Sequence, residues 1–306
     1  MTETGNNEIE DSSAPLIEHL AELRTRLIRA VMAFLVGMII CFTFGSALLD
    51  FLLEPIENTM RNLGNPNPVM QYTAPQEYFF TLVRISMVFG LGLSFPVIAT
   101  QLWRFVAPGL YKNEQSAFLP FLIASPLLFI LGAAFAHYVV TPLAMAFFLG
   151  FADTASLLAA ITGTGDGLNT ELGEAASTGV SIVFNGKVNE TLDITLKLIV
   201  AFGLCFQLPV LLTLMGKAGL VSAEGLGGVR KYAMVGILVL AALVTPPDVI
   251  TQVILFVVVY GLYDISILLV RQVDKKREAK LRAEGLWEED DEDLADDEPE
   301  DKDPAP

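Results

Sequence analysis

The sequence contains few of the residues on which most enzymes and disulfide-stabilised domains depend. It has two histidines and two cysteines, and only 18% of its 306 residues are charged. The histidines form no HExxH motif, and neither a GxSxG nucleophile elbow nor a Walker A loop occurs. These absences argue against a hydrolase and an ATP-driven enzyme. Cys41 and Cys205 both fall in apolar runs, without the closely spaced ligands of a metal site, so we expect no cofactor, no metal and no catalytic residue.

Apolar residues, in contrast, are abundant. They make up 53% of the chain and the mean hydropathy is +0.54, which is typical of a protein that crosses a membrane several times. A spanning helix needs about 20 apolar residues. Six stretches approach this length and predict an all-α membrane protein with six transmembrane helices, at about 27–50, 79–103, 117–140, 192–215, 231–244 and 249–270. The fifth stretch is short for a span.

The distribution of basic residues predicts the orientation. Fifteen of the nineteen lysines and arginines lie before or at the start of span one, between spans two and three, between span four and the start of span five, or after span six. By the positive-inside rule these segments face the cytoplasm, so both termini are predicted to be cytoplasmic. The first apolar stretch follows 26 mostly polar residues and is longer than the apolar region of a signal peptide, which indicates a retained span.

The remaining segments flank or interrupt the spans. Residues 1–14 are a predicted disordered N-terminus ahead of the six-span membrane domain, 15–270. An enlarged outer loop, 152–190, contains Asn185-Gly186 between alternating residues, which predicts a β-hairpin. Residues 271–306 begin as a basic juxtamembrane helix suited to anionic headgroups. They end as a disordered acidic tail, because the last 23 residues contain 13 acids and one lysine.

The stretch LIEHLAELRTRL, immediately before the first span, forms an amphipathic helix. Leucines make one narrow stripe, and the far side carries Glu18, Glu22, Arg26 and Arg29. One interpretation is a helix on the membrane surface, with Glu22 and Arg26 as an i, i+4 pair. The other is a site whose acids bind a cationic ligand. The spacing alone favours the first, whereas acids placed beside anionic lipid favour the second.

A second predicted cytoplasmic stretch, QLWRFVAPGLYKNE, follows span two. Its aromatic residues Trp103, Phe105 and Tyr111 match an interfacial belt, and a Pro-Gly pair breaks the helix. Glu114 at its end either brings a second carboxylate to the face that carries Glu22, or caps the helix of span three.

Spans two and four share a pattern, FGLGLSFPV from Phe89 and FGLCFQLPV from Phe202. A proline near the middle of each span frees a backbone carbonyl and predicts a kinked helix. Gln207 lies in the second motif, at a depth where polar side chains are rare and often functional. It either has such a function or hydrogen-bonds a neighbouring helix, and the sequence favours neither. Arg84 and Lys197 lie near outer span ends and can snorkel to the interface.

Six short motifs occur in one order across the spans. They are HLAELRTRL (19–27), Glu54-Pro55, FPV (95–97), WRFVAPGLYKNE (103–114), FGLCFQLPV (202–210) and LVTPPDV (243–249). Together they resemble the TatC family, the core subunit of the twin-arginine, Sec-independent protein translocase. The resemblance covers about 15–270, whereas the enlarged outer loop and the acidic tail depart from the compact family pattern.

The resemblance implies a fold and a function. The fold is a cupped arrangement of six helices with cytoplasmic termini in the bacterial cytoplasmic (inner) membrane. The function is that of a receptor that binds the twin-arginine signal peptides of folded precursor proteins. Such a receptor works with single-span partners of the TatA/TatB type under the proton-motive force, and it self-associates in the receptor complex.

The resemblance also implies roles for individual residues. Glu22 and Glu114 look like the acids that engage the signal arginines. The other residues of this signal-peptide site are Arg24, Arg26, Phe105, Leu110 and Tyr111. Gln207 matches an intramembrane polar position that family members fill with Glu or Gln, and a glutamine cannot carry a proton there. Pro55 and Asp248 match outer-face positions that support structure or assembly with partners.

Two other functions fit parts of the sequence. A small-solute secondary transporter would enclose a midplane site near Gln207, between the proline-broken spans two and four. A structural scaffold would have no recognition role, so lysine could replace the acids of its cytoplasmic face without loss. The scarcity of charge at the midplane and the weakness of the internal repeat favour the translocase receptor over the transporter.

Overall fold

The computed structural model describes residues 4–62, 67–106, 119–151, 186–245 and 249–283, and nearly all of these are helical. The helices are α1 (Thr4–Thr43), α2 (Gly45–Asn62), α3 (Pro75–Val106), α4 (Leu119–Phe135), α5 (Thr141–Phe151), α6 (Val188–Cys205), α7 (Leu208–Lys217), α8 (Ala223–Gly228), α9 (Arg230–Val244) and α10 (Val249–Ala283). A π-helical turn, Ala136–Val140, joins α4 to α5. Two short strands, β1 (Met70–Gln71) and β2 (Gly186–Lys187), pair in parallel. The predicted all-α membrane protein is confirmed.

Five segments of the described chain are long and apolar enough to cross a membrane. They are Leu20–Thr43, Pro75–Leu102, Pro120–Leu149, Val188–Lys217 and Val249–Ala279. These correspond to five of the six predicted spans. The remaining one, predicted at 231–244, is α9, whose 15 residues extend about 22 Å against the roughly 30 Å of a hydrocarbon core. A count of six spans therefore stays a prediction.

Packing contacts define two ends of the helix bundle. β1 precedes α3 and β2 precedes α6, so their pairing starts both helices at one end, which we call the β end. Gly37 of α1 lies against Gly90, and Gly45, the first residue of α2, lies against Leu82. The chain therefore runs antiparallel to α3 here, and α1 begins at the opposite end. Arg277 of α10 lies against Gly219, just after α7, at that same opposite end. We call it the terminal end, because both termini of the described chain lie there.

The fourth predicted span is broken at its proline, as the sequence predicted. α6 ends at Cys205, and α7 begins at Leu208 with Pro209 in its first turn. Pro96 of span two, in contrast, lies inside α3 without ending it. Membrane helices tolerate proline where neighbouring groups satisfy the carbonyl that it frees. The two similar motifs therefore produce a broken helix in one span and a continuous helix in the other.

The structure differs from the prediction at the two ends of the first span. The predicted span 27–50 is interrupted at Phe44, whose N–H donates to the carbonyl of Cys41 at 3.1 Å, and α2 starts afresh at Gly45. Residues 4–14, predicted to be disordered, form the start of α1.

The structure also differs from the predicted hairpin in the 152–190 loop. Residues 152–185 lie outside the described part of the chain. The expected second arm, however, becomes helical at Val188, and Gly186 and Lys187 pair in parallel with β1. An acid in the first turn, Glu190, favours a helix start there and outweighs the short alternating pattern.

α6 lies at the centre of the core. Leu192, Leu198 and Phe202 are at most 1% exposed. Phe202 packs so closely against α4 that a Cβ on Gly132 would lie 2.5 Å from its carbonyl oxygen. α1, in contrast, exposes large apolar side chains along most of its length. This is the pattern expected of a peripheral helix that faces lipid, and it places the charged start of α1 at the rim of the bundle.

Candidate functional site

Glu22 and Arg26 form an ion pair on α1, near the terminal end. Arg26 donates from Nε to Glu22 Oε1 at 3.0 Å, and its Nη2 contacts the same oxygen. The pair forms because residues four apart share one face of a helix. Within the described residues Glu22 Oε2 accepts no hydrogen bond, and the Glu22 side chain is 36% exposed. Arg26 therefore orients the carboxylate through one oxygen and leaves the other accessible to a second cation. Arg24 is exposed beside the pair.

The packing of α1 on α3 decides which residue lies level with Glu22. The two helices approach most closely at Gly37 and Gly90, where a Cβ on Gly90 would lie 2.7 Å from Met38 Cα. Glu22 precedes Gly37 by fifteen residues, and Phe105 follows Gly90 by fifteen. In an antiparallel pair, both are then about 22 Å from the crossing point. The register thus brings half-buried Phe105 to the level of Glu22 from a second helix.

The other predicted members of the signal-peptide site, Leu110, Tyr111 and Glu114, lie outside the described residues. So does Asp248. The segment that contains the first three starts directly after α3, two residues beyond Phe105. Their distances from Glu22 stay a prediction.

Gln207 is hydrogen-bonded to a neighbouring helix. Its Oε1 accepts from Ser125 Oγ at 2.7 Å, and its Nε2 donates to the Ser125 carbonyl at 2.9 Å. Ser125 lies on α4, directly before the proline Pro126, and is 2% exposed. The amide therefore ties α4 to the break between α6 and α7. Of the two interpretations left open by the sequence, this geometry favours the one in which Gln207 bonds a neighbouring helix.

The described residues contain no group of three or more His, Cys, Asp and Glu side chains that could hold a metal ion. Cys41 and Cys205 are buried free thiols on different helices. The chemistry of the described surface is accordingly that of ion pairs, amides and aromatic rings.

Comparison with known proteins identifies the family. Residues 18–257 match the family model described as "TatC: Sec-independent protein translocase protein (TatC)". The chain belongs to the TatC family. It is 41% identical over 278 residues to the TatC protein of Magnetococcus marinus, covering 90% of this chain and 92% of that protein. It is 38% identical over 269 residues to that of Aquifex aeolicus, covering 88% and 100% respectively.

The fold agrees with that of a solved TatC structure. A crystal structure of the twin-arginine translocase receptor TatC superposes with a TM-score of 0.66 at 36% identity, covering 84% of this chain and 99% of that one. As a TatC-family member, the protein is a subunit of the Sec-independent protein translocase. It is a transport protein that crosses the bacterial inner membrane several times.

In this TatC protein, Pro55 is a buried residue within α2. Its carbonyl accepts a hydrogen bond from Thr59 Oγ1 at 2.8 Å. One turn earlier, Phe51 stacks on His137 of the π-helical turn, with ring centroids 4.4 Å apart and an interplanar angle of 23°. α2 thus packs against the α4–α5 span through rings next to Pro55.

Sequence reasoning missed His137 as a residue of interest. It is 2% exposed, and neither ring nitrogen has a hydrogen-bond partner among the described residues. The available signal was an ionisable residue inside an apolar span, which by default suggests a special role. Its partner Phe51 could not be identified from the sequence, because the two are 86 positions apart.

Proposed function

We propose that this protein is the receptor core of the twin-arginine translocation system, with a signal-peptide site built on the terminal end. The proposal depends on the Glu22 carboxylate. Arg26, on the same helix, orients this carboxylate, and Oε2 accepts no hydrogen bond from the described residues. In this arrangement the arginines of a signal peptide approach Oε2 while Arg26 holds Oε1. Arginine suits the site because its planar guanidinium donates two parallel hydrogen bonds, a geometry that lysine cannot copy.

The other members of the site follow from their positions in the chain. Phe105 offers an apolar ring at the level of Glu22, suited to the apolar residues that follow the paired arginines of a signal peptide. Glu114 supplies a second carboxylate for the second arginine, and Leu110 and Tyr111 shape the surface between them. Arg24 adds a cation that keeps the peptide in register by repelling basic residues elsewhere in it.

The site requires the terminal end to be cytoplasmic, which the excess of lysine and arginine at that end supports. At this surface the protein receives folded precursors. It assembles with single-span TatA/TatB-type proteins and with further copies of itself, and the proton-motive force drives export. Gln207 takes no proton in this scheme, because its amide is neutral and bonded to Ser125. That pairing also argues against a solute site at the midplane.

The test is photocrosslinking in membranes. In one variant a photoreactive amino acid replaces Phe105, and in a second variant it replaces Phe44, near the other end of α1. Each variant is mixed with a twin-arginine signal peptide or its twin-lysine counterpart. We expect crosslinks from position 105 with the twin-arginine peptide only, and their loss in Glu22→Gln.

The chain offers a matched control for the Glu22→Gln substitution. Glu57 and Arg61 form the same kind of i, i+4 pair on α2, with Arg61 Nη2 2.7 Å from Glu57 Oε1. Glu57→Gln should leave the crosslinks intact. Equal crosslinking of both peptides, or an equal effect of the two substitutions, would refute the assignment of Glu22 to the signal-peptide site.

A further inference from the structure

Four polar side chains form a cluster between α3 and α6. Asp193 bonds two cations at once, with Arg84 Nη1 3.0 Å from its Oδ1 and Lys197 Nζ 2.6 Å from its Oδ2. Arg84 Nη1 also donates to Asn189 Oδ1 at 3.1 Å. Two cations share one carboxylate, so the cluster carries a net charge of about +1. Arg84 is 42% exposed and Lys197 63%, so both keep donors directed to the surroundings.

The cluster lies well below the end of its helices. Arg84 is nine residues from the start of α3, and Lys197 is nine residues from the start of α6. At 1.5 Å per residue, both are about 14 Å below the β end, whose level the strand pair fixes. The spans of α3 and α6–α7 are 28 and 30 residues long, roughly 12–15 Å longer than a hydrocarbon core, so both cations can reach the interface by snorkelling. An uncompensated charge at that depth is expensive in lipid.

An apolar groove of about 450 Å³ leads away from the cluster. Arg84, Asp193 and Lys197 line one part of it, and α3, α6 and α9 supply aliphatic side chains to the rest. These include Val88, Leu196, Val200, Leu204 and Leu243. Leu204 lies two helical turns beyond Lys197, about 10 Å deeper into the bundle. The groove thus has cationic side chains at one end and an aliphatic lining that extends roughly ten ångströms from them.

We propose that this groove binds an anionic phospholipid from the leaflet at the β end. The phosphate accepts hydrogen bonds from the free donors of Arg84 and Lys197, and one acyl chain lies along Val200 and Leu204. An anionic lipid fits because its single negative charge balances the net charge of the cluster. A zwitterionic lipid brings no net charge and leaves the excess cation uncompensated. The guanidinium fork is well suited to phosphate oxygens.

Substitutions within the cluster change its charge in both directions. The natural cluster has a net charge of about +1, Lys197→Gln or Arg84→Gln gives zero, and Asp193→Asn gives about +2. A purely structural ion-pair network would be weakened by all three variants. A phosphate site instead predicts that loss of a cation weakens lipid binding, whereas loss of the carboxylate strengthens it.

The test is native mass spectrometry of the purified protein, titrated with dioleoylphosphatidylglycerol or dioleoylphosphatidylcholine. We expect tighter binding of phosphatidylglycerol, a loss of about tenfold in Lys197→Gln, and a gain of about tenfold in Asp193→Asn, since a tenfold change corresponds to about 1.4 kcal/mol. The matched control is Lys187→Gln at the same end, which removes a cation that pairs with Glu190 outside the groove. It should bind as the unmodified protein does.

Several outcomes would overturn the proposal. Equal effects of Lys197→Gln and Lys187→Gln would do so, as would weaker binding in a folded Asp193→Asn variant. If Asp193→Asn does not fold, the double variant Lys197→Gln/Asp193→Asn restores the net charge and should recover binding, and its failure would count against the site. Displacement of the lipid by inorganic phosphate would point to a soluble ligand, and displacement by an acidic transmembrane peptide would assign the groove to a protein helix.

Discussion

Gly90→Ala tests the helix crossing on which the proposed signal-peptide site depends. A Cβ at position 90 would lie 2.7 Å from both the Cα and the N of Met38, whereas ordinary contact begins near 3.4 Å. The clash is with backbone, so no side-chain rotation relieves it, and α1 must move away from α3 by about 0.7 Å. Overpacking of this kind costs about 1–3 kcal/mol. The better helix propensity of alanine returns about 0.5–1 kcal/mol.

The matched control lies two residues further along the same helix. A Cβ on Gly92 would meet only Phe129 Cε1, at an ordinary 3.5 Å. Gly92→Ala therefore receives the propensity gain without the clash. Thermal unfolding of the two variants in detergent should give a lower Tm for Gly90→Ala by several degrees, and an unchanged or higher Tm for Gly92→Ala.

The crossing also sets the level of Glu22 against Phe105. Crosslinking from position 105 to a twin-arginine peptide should consequently fall in Gly90→Ala and persist in Gly92→Ala. Equal Tm values for the two variants would refute the reasoning, because α1 would then not pack on α3 at this point.

Three further substitutions test individual contacts. Ser125→Ala leaves Gln207 Oε1 without its donor and should lower stability by about 1–2 kcal/mol, whereas the double variant Ser125→Ala/Gln207→Leu should lose less than the sum of the single changes. His137→Phe keeps an aromatic ring but removes two buried nitrogens that have no hydrogen-bond partner among the described residues, so Tm should be unchanged or higher. Asp274→Asn weakens the 2.8 Å hydrogen bond from the Ala223 N–H and should lower stability by about 1 kcal/mol.

Each of these three predictions has an experimental result that would contradict it. Strict additivity in the Ser125 and Gln207 cycle, measured by thermal unfolding, would mean that the two side chains are not coupled. A large fall in Tm for His137→Phe would mean that the imidazole has a hydrogen-bonding partner after all. For Asp274→Asn, the control is Asp50→Asn on the exposed face of α2, and equal losses in the two would rule out a specific role for the α8 contact.

Local rules predicted the features that depend on neighbours in sequence. The Glu22–Arg26 pair follows from helical spacing, and the break of span four follows from a proline that cannot donate to the preceding turn. The same proline rule did not distinguish Pro96, because α3 continues through this residue. The alternating residues around Asn185-Gly186 predicted a β-hairpin, but the chain becomes helical at Val188, where its second strand was expected.

Features that join distant residues could not be predicted from the pattern. Gln207 was recognisable as a polar residue in a span, but its partner Ser125 is 82 positions away. Arg84 and Lys197 each looked like a cation able to snorkel. Lys197 and Asp193 are four residues apart on α6, but only the packing of α3 on α6 brings Arg84 to the same carboxylate. The sequence thus identified these polar residues one at a time, and the fold determined their partners.

The last helix, α10, is longer than a membrane span requires. Its 35 residues extend about 52 Å, some 20 Å more than a hydrocarbon core requires. Asp274 and Arg277 hold part of this excess against the segment after α7, at the terminal end. The last 13 residues of α10, 271–283, include six lysines and arginines, and 13 acids follow them in the sequence. A basic segment of helix thus lies between the apolar part of the span and the most acidic part of the chain.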